Sequence, residues 1–379
     1  MKVLIAGGGI GGLTLAVALR QRGIETAVFE SAPEIRAVGA GIGLWPNALN
    51  ALAGLGLGDA ILGAGRRIER GALRDVDGTV LVSSDQRWLE REAGAPMLGL
   101  HRADLQGILS AALPAGTVRL GASISGFDQN TPVVKARFAD GTLAEGDVLI
   151  GADGIHSAVR ASLRPEVSTR YAGYVAWRGL VDDADGFGVD VTSETWGPGA
   201  RFGIVPIGRR RIYWFATANQ PRGIRRDPVQ RRAELLSRFG NWHAPIRDLI
   251  ERTPLERLLE NDIEDIRPFR GWTRGRVALL GDAVHATTPN LGQGACMAIE
   301  SAVVLAEKLA GTGSIAARLD AYEAERFRRT AWITNQSWRV GQVGQWSNPL
   351  MCAVRRAMLR VSPESGRKKF LRQAVGVLR

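Results

Sequence analysis

The sequence predicts an α/β fold in which a parallel-sheet domain carries an inserted antiparallel-sheet domain. Short apolar strands beginning at Lys2, Asp147 and Val277 each run into a glycine-containing loop and a helix, as in buried parallel sheets. From Tyr171 to Ile266 the segments are aromatic and alternate with polar residues, which favours antiparallel strands. We expect residues 1–70, 98–165 and 273–335 in the first domain, 71–97 and 166–272 in the second, and 336–379 as a basic segment of C-terminal helices.

The composition excludes several classes of protein. Among 379 residues, two Cys cannot build a disulfide framework or a Cys-rich metal site, which favours a reducing cytoplasm. Four scattered His predict no metal centre. The apolar start resembles a signal peptide, but the glycines at 7–9 and 11–12 suit a nucleotide loop better, so we expect no export.

The net charge of +11 is concentrated near the C-terminus. Residues 351–379 contain eight Lys or Arg and one Glu, so they contribute +7 and the preceding 350 residues contribute +4. A solvated charged end is the simpler interpretation. Contact with an anionic membrane through residues 351–379 is the alternative, and the absence of a recognised module argues against nucleic acid.

The N-terminal stretch has the pattern of a dinucleotide-binding βαβ unit. A strand at 2–6, a helix at about 13–22 and a strand at 25–29 frame Gly7-x-Gly9-x-x-Gly12, which predicts a Rossmann-type domain. Gly9 allows the pyrophosphate to approach, and the amides near Gly11 and Gly12 face phosphate. Glu30 can accept from the ribose hydroxyls, with the Ser31 backbone beside it. An acid there favours an unphosphorylated ribose, as in FAD or NAD.

A second signature, at residues 276–300, is specific for a flavin. A buried strand at 277–280 delivers Asp282, which can accept hydrogen bonds from a ribityl chain. The loop Gly292-Gln293-Gly294 then leads into a helix near Ala295, whose amides would stabilise the negative charge of a reduced flavin. Any α/β protein has strand–loop–helix units, but the spacing of Gly-Asp-Ala, Pro289 and Gly-x-Gly favours FAD.

Four further residues are candidates for the same cofactor. The glycines at 39, 41 and 43 predict a loop beside the flat ring, with Gly43 against it. Arg36 could neutralise the pyrophosphate or be a surface cation. Arg102, at the start of a helix, is predicted to contact the cofactor, and the Ile124 backbone to reach an adenine edge.

A third signature follows the strand at 147–151. Asp153, in Gly-Ala-Asp-Gly, is predicted to cap the next helix, with a purely structural role as the alternative. Arg160, one helical turn after Ser157, is a candidate contact for the phosphates of a nicotinamide cofactor.

The inserted domain offers two candidates for substrate binding. Segments at 174–180, 201–206 and 211–217 read as strands, and 228–259 as two helices. Arg201 and Tyr213 would then lie on neighbouring strands and suit a planar, polar or anionic ring. A surface arginine and a core tyrosine are the alternative.

The three signatures together resemble the FAD-dependent aromatic hydroxylases, single-component flavoprotein monooxygenases of the p-hydroxybenzoate hydroxylase type. The resemblance extends to about Arg329. WPN at 45–47, RYAGYVAWRGLV at 170–181 and RVALLGDAVHATTP at 276–289 resemble the branch that holds urate hydroxylase and zeaxanthin epoxidase. In urate hydroxylase, the segments matching Arg201 and Tyr213 hold a substrate-binding Arg and Tyr.

The resemblance implies an enzyme with a defined reaction cycle. NADH or NADPH binds transiently and reduces FAD, O2 then forms a flavin C4a-hydroperoxide, and an aromatic or heteroaromatic small molecule is hydroxylated. A flavin-dependent epoxidase of a polyisoprenoid or quinone-like substrate is the alternative reaction. A protein that holds FAD as a sensor is the non-enzymatic alternative. The substrate and the choice between NADH and NADPH stay open.

Overall fold

A computed structural model describes residues 1–34, 40–130, 132–182, 187 and 191–377. Its strands are β1 (Lys2–Ala6), β2 (Glu25–Phe29), β3 (Gly41–Leu44), β4 (Arg66–Arg67), β5 (Arg70–Arg74), β6 (Val80–Asp85), β7 (Leu98–His101), β8 (Val118–Arg119), β9 (Ile124–Asn130), β10 (Val133–Phe138), β11 (Leu143–Gly146), β12 (Val148–Gly151), β13 (Thr169–Val181), β14 (Thr192–Gly197), β15 (Ala200–Ile207), β16 (Arg211–Asn219), β17 (Leu259–Ile266), β18 (Thr273–Arg274) and β19 (Val277–Leu279). Its helices are α1 (Ile10–Gln21), α2 (Pro46–Ala53), α3 (Gly58–Ala64), α4 (Arg87–Ala93), α5 (Arg102–Ala111), α6 (Ala158–Leu163), α7 (Pro228–Phe239), α8 (Ile246–Arg252), α9 (Asp282–His285), α10 (Gly294–Ala310), α11 (Ile315–Gly344), α12 (Pro349–Val361) and α13 (Glu364–Val375).

A six-stranded sheet forms the centre of the first domain. Its order is β18-β19-β12-β1-β2-β8, and all neighbouring pairs except β18–β19 are parallel. Leu4 lies opposite Leu149 and Ala27 in the register, and Val3, Leu4 and Ile5 are fully buried. Burial of both faces explains why these strands read as uninterrupted apolar runs.

The carboxyl ends of the parallel strands place the three signatures at one edge of the sheet. β1 ends at Ala6, β2 at Phe29, β12 at Gly151 and β19 at Leu279. Because the strand order changes direction next to β1, the loops leaving these ends border one crevice, where ligands of such sheets bind. The predicted α/β fold with a Rossmann-type domain is confirmed.

A seven-stranded sheet forms the inserted domain, in the order β17-β13-β16-β15-β14-β5-β6. One face packs with α7 and α8 around Trp177, Phe202, Trp214 and Phe239, all fully buried. The β5–β6 hairpin reaches this sheet by parallel pairing of β5 with β14. The opposite face turns towards the first domain, where a Cβ on Gly41 would collide with the Tyr213 side chain.

A small sheet, β3-β7-β4, lies between the two larger ones. Gly43 pairs with Gly99, and a Cβ on Gly99 would lie 2.9 Å from the Pro206 carbonyl oxygen of the inserted domain. Glycine at these positions lets the β15–β16 hairpin approach the backbone of the first domain. A second three-stranded sheet, β11-β10-β9, extends from the same domain.

The C-terminal helices differ from the expected boundary. α11 continues through residue 336 without interruption, so the separate C-terminal elements begin only with α12 at Pro349. No helix in the described ranges combines the length and apolarity needed to cross a bilayer.

Candidate active site

The loop after β1 has the backbone geometry of a phosphate cradle. Gly7 has φ of +103°, and its amide donates to the Phe29 carbonyl oxygen at 2.7 Å. A Cβ on Gly12 would collide with the Gly7 carbonyl oxygen, whereas a Cβ on Gly9 would meet nothing within 4 Å. Gly11 packs against Ala298 of α10. The loop is therefore closed at Gly12 and open at Gly9, where a pyrophosphate would lie.

Glu30 is held in place at the end of β2 by three hydrogen bonds. Its Oε2 accepts from the Gly8 amide at 2.7 Å, and its Oε1 accepts from the Ala32 amide at 2.9 Å and the Ser31 hydroxyl at 3.2 Å. The carboxylate retains acceptor capacity for ribose hydroxyls, because each of its oxygens has two lone pairs. Ile124 begins β9 with its side chain in the core, two residues after Ala122, whose amide donates to the Glu30 carbonyl oxygen.

Asp282 lies at the open side of the crevice. Gly281, in front of it, has φ of +64°, which turns the chain from β19 into α9. The Asp282 side chain reaches solvent, yet the protein around it raises its pKa through desolvation, and the charge of Arg102 partly opposes that rise. Arg102 is likewise exposed at the start of α5. A carboxylate in such a recess is a strong acceptor for ligand hydroxyls.

The N-terminus of α10 faces the same crevice. Gly292 is left-handed, with φ of +61° and ψ of 20°, and Gln293 is the first residue before the helix. The amides of Gly294 and Ala295 belong to the first turn of a 17-residue helix, where amides have no partner within the helix. Their dipoles favour a ligand that becomes negative.

Buried polar atoms without partners surround this crevice. Gln293 is 1% exposed and its Nε2 has no acceptor, although its Oε1 accepts from Asn47 at 3.1 Å. Three more buried atoms have no hydrogen-bond partner: Asn47 Oδ1, Asp153 Oδ1 and Thr287 Oγ1. A Cβ on Gly43 would also meet open space. Orphaned donors and acceptors beside an open glycine-lined cradle fit FAD, whose edges carry complementary groups.

Arg160 is buried and hydrogen-bonded within the protein. It is 5% exposed, and it donates to the Ala283 carbonyl oxygen at 3.0 Å and to the Ile155 carbonyl oxygen. Burial lowers its pKa. The guanidinium therefore ties α6 to α9 inside the protein, and its predicted contact with a nicotinamide cofactor stays a prediction.

Asp153 contacts the start of α6 as predicted, but it is not the N-cap residue of that helix. The N-cap of α6 is Ser157, whose hydroxyl accepts from the Arg160 amide at 2.8 Å. Asp153 accepts from the Val159 amide at 3.1 Å and so joins β12 to the helix. The predicted contact of Arg36 lies outside the described residues.

Arg201 is the centre of a buried network between the two domains. It is 2% exposed, and its nitrogens donate to Gln345 Oε1 at 3.1 Å, Glu194 Oε1 at 3.1 Å and Asn290 Oδ1 at 2.6 Å. Asn290 also donates to the Tyr174 hydroxyl at 3.1 Å. Because Asn290 precedes Gly292, Arg201 connects the inserted sheet to the loop that leads into α10.

Tyr213 lies on the neighbouring strand but four residues further along the ladder. Tyr213 pairs with Val205 and Arg201 with Thr217. Burial raises the pKa of Tyr213, while Arg178 lowers it by charge and a hydrogen bond. The phenol is therefore neutral at physiological pH. It packs beside Gly41 of β3, next to the predicted ring position.

Sequence reasoning missed three members of this region: Glu194, Asn290 and Gln345. Asn290 adjoins the motif at Pro289 and Gly292, and that proximity was an available signal. Glu194 lies in β14, a strand that was not predicted, and Gln345 follows α11 in the segment interpreted as a basic tail. Neither has a local pattern that points to the site.

Comparison with known proteins agrees with this geometry. The FAD binding domain family matches residues 1–337. The Aurachin C monooxygenase/isomerase of Stigmatella aurantiaca is 47% identical over 361 residues, covering 95% of this chain and 94% of the relative. The 2-heptyl-3-hydroxy-4(1H)-quinolone synthase of Pseudomonas aeruginosa is 35% identical, covering 98% and 96%. The crystal structure of Klebsiella pneumoniae HpxO complexed with FAD and uric acid superposes with a TM-score of 0.94 at 34% identity, covering 100% of this chain and 97% of the other.

The crevice geometry and these matches lead to the same conclusion. The family match spans most of the chain, and the glycine cradle, Glu30 and Asp282 lie in positions that suit FAD. The chain therefore belongs to the FAD binding domain family and is an FAD-dependent monooxygenase that uses NAD(P)H and O2 to hydroxylate an aromatic or heteroaromatic small molecule.

Proposed function

We propose that the substrate is an uncharged N-heteroaromatic ring of the 4(1H)-quinolone class with an apolar substituent, hydroxylated on a ring carbon. The observation that carries this proposal is the compensation of Arg201 by Glu194. The two side chains form a salt bridge with Arg201 Nη1 3.1 Å from Glu194 Oε1, and the Arg201 side chain is 3% exposed.

Charge balance decides between neutral and anionic substrates. An anionic ring needs a cation whose charge is not already neutralised. Without such a cation, moving the ring from water into the pocket leaves the negative charge of the ring unpaired. Arg201 already has a carboxylate and two amide oxygens as acceptors. This pair contributes no net positive charge, which favours a neutral ring at Arg201, while Arg178 is the cation beside Tyr213.

The sheet face beside this pair carries several apolar or aromatic residues together with Arg178. In the register, Tyr213 lies opposite Val205 and Leu180, and Phe215 opposite Gly203 and Arg178. A Cβ on Gly203 would collide with the Phe215 ring, so the ring lies over the glycine. Side chains two residues apart share one face of a sheet. This face can therefore hold a flat ring and an apolar substituent.

The relatives support the same class. The quinolone synthase is named for a product with a heptyl chain and a hydroxyl on the ring, and it aligns with 98% of this chain. In a 4(1H)-quinolone, the ring nitrogen donates electron density through the double bond to C3. That carbon is therefore nucleophilic and can form a C–O bond with an electrophilic oxygen donor.

The residues on this chain perform binding, orientation and exclusion of water. Bound FAD supplies acceptance of hydride from NAD(P)H and activation of O2. Glu30 and Asp282 would hold its hydroxyls, and the first turn of α10 would face its ring. Arg201 holds the loop at Asn290 in position. Tyr213, neutral because of its raised pKa, would donate to the ring carbonyl and orient C3.

A substrate panel tests this proposal. Purified enzyme loaded with FAD is assayed for NADH and NADPH oxidation with 2-alkyl-4(1H)-quinolones of increasing chain length, urate and p-hydroxybenzoate. We expect quinolones to stimulate oxidation and to gain one oxygen atom by mass spectrometry, with KM falling as the chain lengthens. Coupled turnover of urate with none of the quinolones would overturn the assignment.

Glu194→Gln provides a sharper test of charge balance. Glutamine keeps an acceptor for Arg201 and removes the negative charge, so the pocket gains one net positive charge. We expect affinity for an anionic ring such as p-hydroxybenzoate to rise about tenfold, or ~1.4 kcal/mol, while the KM for a neutral quinolone changes little. Equal effects on both substrates would contradict the argument.

We also propose that the enzyme works in the cytoplasm. Cys296 and Cys352 are both buried and free, as expected where thiols stay reduced. The reductants NADH and NADPH are cytoplasmic metabolites. Fractionation of cells that express the tagged protein would test this, and recovery from an extracytoplasmic fraction would contradict it.

A further inference from the structure

The outer face of α12 is apolar and exposed over its whole length. Seven exposed residues without a charge share one side of this helix: Leu350, Met351, Ala353, Val354, Ala357, Met358 and Val361. At about 100° per residue they cover an uncharged arc of about 160°. Solvent-facing arcs of helices normally carry the polar residues instead.

The exposure of the large side chains in this arc is extreme. Leu350 is 71% exposed, Met358 59% and Val361 79%. Six of the twelve exposed large hydrophobic residues of the described chain lie between residues 350 and 377. Apolar residues scattered over a surface are normal, but concentration on one helix face marks an interaction surface.

The buried side of α12 contains an arginine, Arg355, beside Cys352. Arg355 is 3% exposed, and it donates to the carbonyl oxygens of Gly344 at 2.8 Å and Gly197 at 2.9 Å. Arg356 pairs with Asp75 at 3.1 Å, and Asn348 caps the helix. These contacts hold α12 firmly, with its apolar side outwards.

An exposed cation lies at the edge of the apolar arc and another on the following helix. Arg360 lies at its edge and is exposed, as is Lys369 of α13. Neither makes an ion pair with a described residue, unlike Lys368, which pairs with Glu364, and Arg372, which pairs with Glu92. Cations next to an apolar helix face complement a surface with anionic groups above hydrocarbon.

We propose that α12 docks the enzyme on an anionic membrane surface, with its apolar arc in the lipid interface and Arg360 and Lys369 on lipid phosphates. Charge complementarity favours lipid over a second copy of this chain, because pairing two such faces would bring like charges together. The exposed apolar arc supports membrane docking independently of the substrate of the enzyme. Docking would bring the pocket close to lipid, since Gln345, beside the anchored Gly344, accepts from Arg201.

Vesicle co-sedimentation of the FAD-loaded full chain tests the proposal. Vesicles of phosphatidylcholine alone are compared with vesicles containing 30% phosphatidylglycerol, at low and high salt. We expect binding to the anionic vesicles that falls with salt. Val354→Gln combined with Met358→Gln should weaken binding at least tenfold, and Arg360→Gln combined with Lys369→Gln should remove the preference for anionic lipid. Wild-type protein that stays in solution with both vesicle types would overturn the proposal.

Two controls separate docking from other effects. Leu143→Gln replaces a 57% exposed leucine on β11, far along the chain from α12, and should leave vesicle binding unchanged. FAD content and the rate with a water-soluble substrate should stay constant in every variant, so loss of folding would be recognised. Light scattering tests the alternative that this face joins two copies of the chain. If the wild type is a dimer, the Val354/Met358 double variant is a monomer and neither binds vesicles, the face is a contact between copies and the lipid proposal is wrong.

Discussion

Replacing Asp282 with asparagine removes one negative charge from the crevice while the size of the side chain is kept. Hydrogen bonds to a carboxylate contribute about 1.5–3 kcal/mol, against about 0.5–1.5 kcal/mol for neutral acceptors. The loss of about 1–1.5 kcal/mol predicts a Kd for FAD about tenfold higher. Asp282→Ala, which removes the acceptor entirely, should weaken FAD binding further.

The same substitution should stabilise the protein without FAD. Desolvation raises the pKa of Asp282 above its value of 3.8 in an unfolded chain, so the folded apoprotein binds this proton more readily than the unfolded one. Stability from this group is therefore present at low pH and is lost as pH rises through the folded pKa. At pH 7.5 the wild-type apoprotein keeps a desolvated charge on Asp282, which costs stability and which Arg102 offsets only in part. The asparagine variant carries no charge there and avoids this cost.

Two measurements test both directions at once. Quenching of flavin fluorescence gives the Kd for FAD, and melting of the deflavinated protein gives its stability. The Kd of the wild type should also rise as pH falls through the pKa of Asp282, whereas that of Asp282→Asn should not. Asp140→Asn, in the exposed β10–β11 turn, is the matched control for FAD binding. A variant with unchanged Kd and a less stable apoprotein would refute the reasoning.

Three further substitutions test other parts of the site. Gly9→Ala should leave the apoprotein folded but raise the Kd for FAD at least tenfold, because the added Cβ enters the open cradle. Gly12→Ala should prevent folding, because its Cβ would collide with the Gly7 carbonyl oxygen. A Kd of Gly9→Ala equal to that of the wild type, measured by flavin fluorescence titration, would contradict this. Arg160→Met should cost about 3 kcal/mol in urea unfolding, because two buried carbonyl oxygens lose their donor, with unchanged KM for NADH and NADPH. A higher KM with normal stability would return Arg160 to the nicotinamide site. Tyr213→Phe should raise the KM for the ring substrate about five- to tenfold and leave FAD content unchanged, and an unaltered KM would remove it from the pocket.

Strands with a clear local pattern were predicted with their observed bounds. β1 and β2 match residue for residue, because a short apolar run ended by a glycine or a polar residue is sufficient to define them. β3 was not predicted, since Gly-Ile-Gly-Leu has no strand pattern of its own. It becomes a strand only by pairing with β7 beneath the β15–β16 hairpin.

Arginines show where local reasoning ends. Arg160 and Arg201 both looked available for ligands in the sequence. In the fold each is buried, and its donors serve carbonyl, amide or carboxylate oxygens from other elements. Whether a guanidinium meets a ligand or a carbonyl depends partly on residues distant in the chain, such as Ala283 and Gln345, and no spacing rule reveals them.

The sequence by itself determined the cofactor, because a strand, a glycine loop, a helix and an acidic residue close in the chain already build a dinucleotide site. Only the tertiary structure decided the surroundings of Arg201. Arg201 pairs with Glu194 inside the inserted domain, and packing of the domains adds the amide acceptors of Asn290 and Gln345. It also decided that α12 buries its arginine and exposes its aliphatic face, since the acceptors for Arg355 are backbone carbonyls of distant segments.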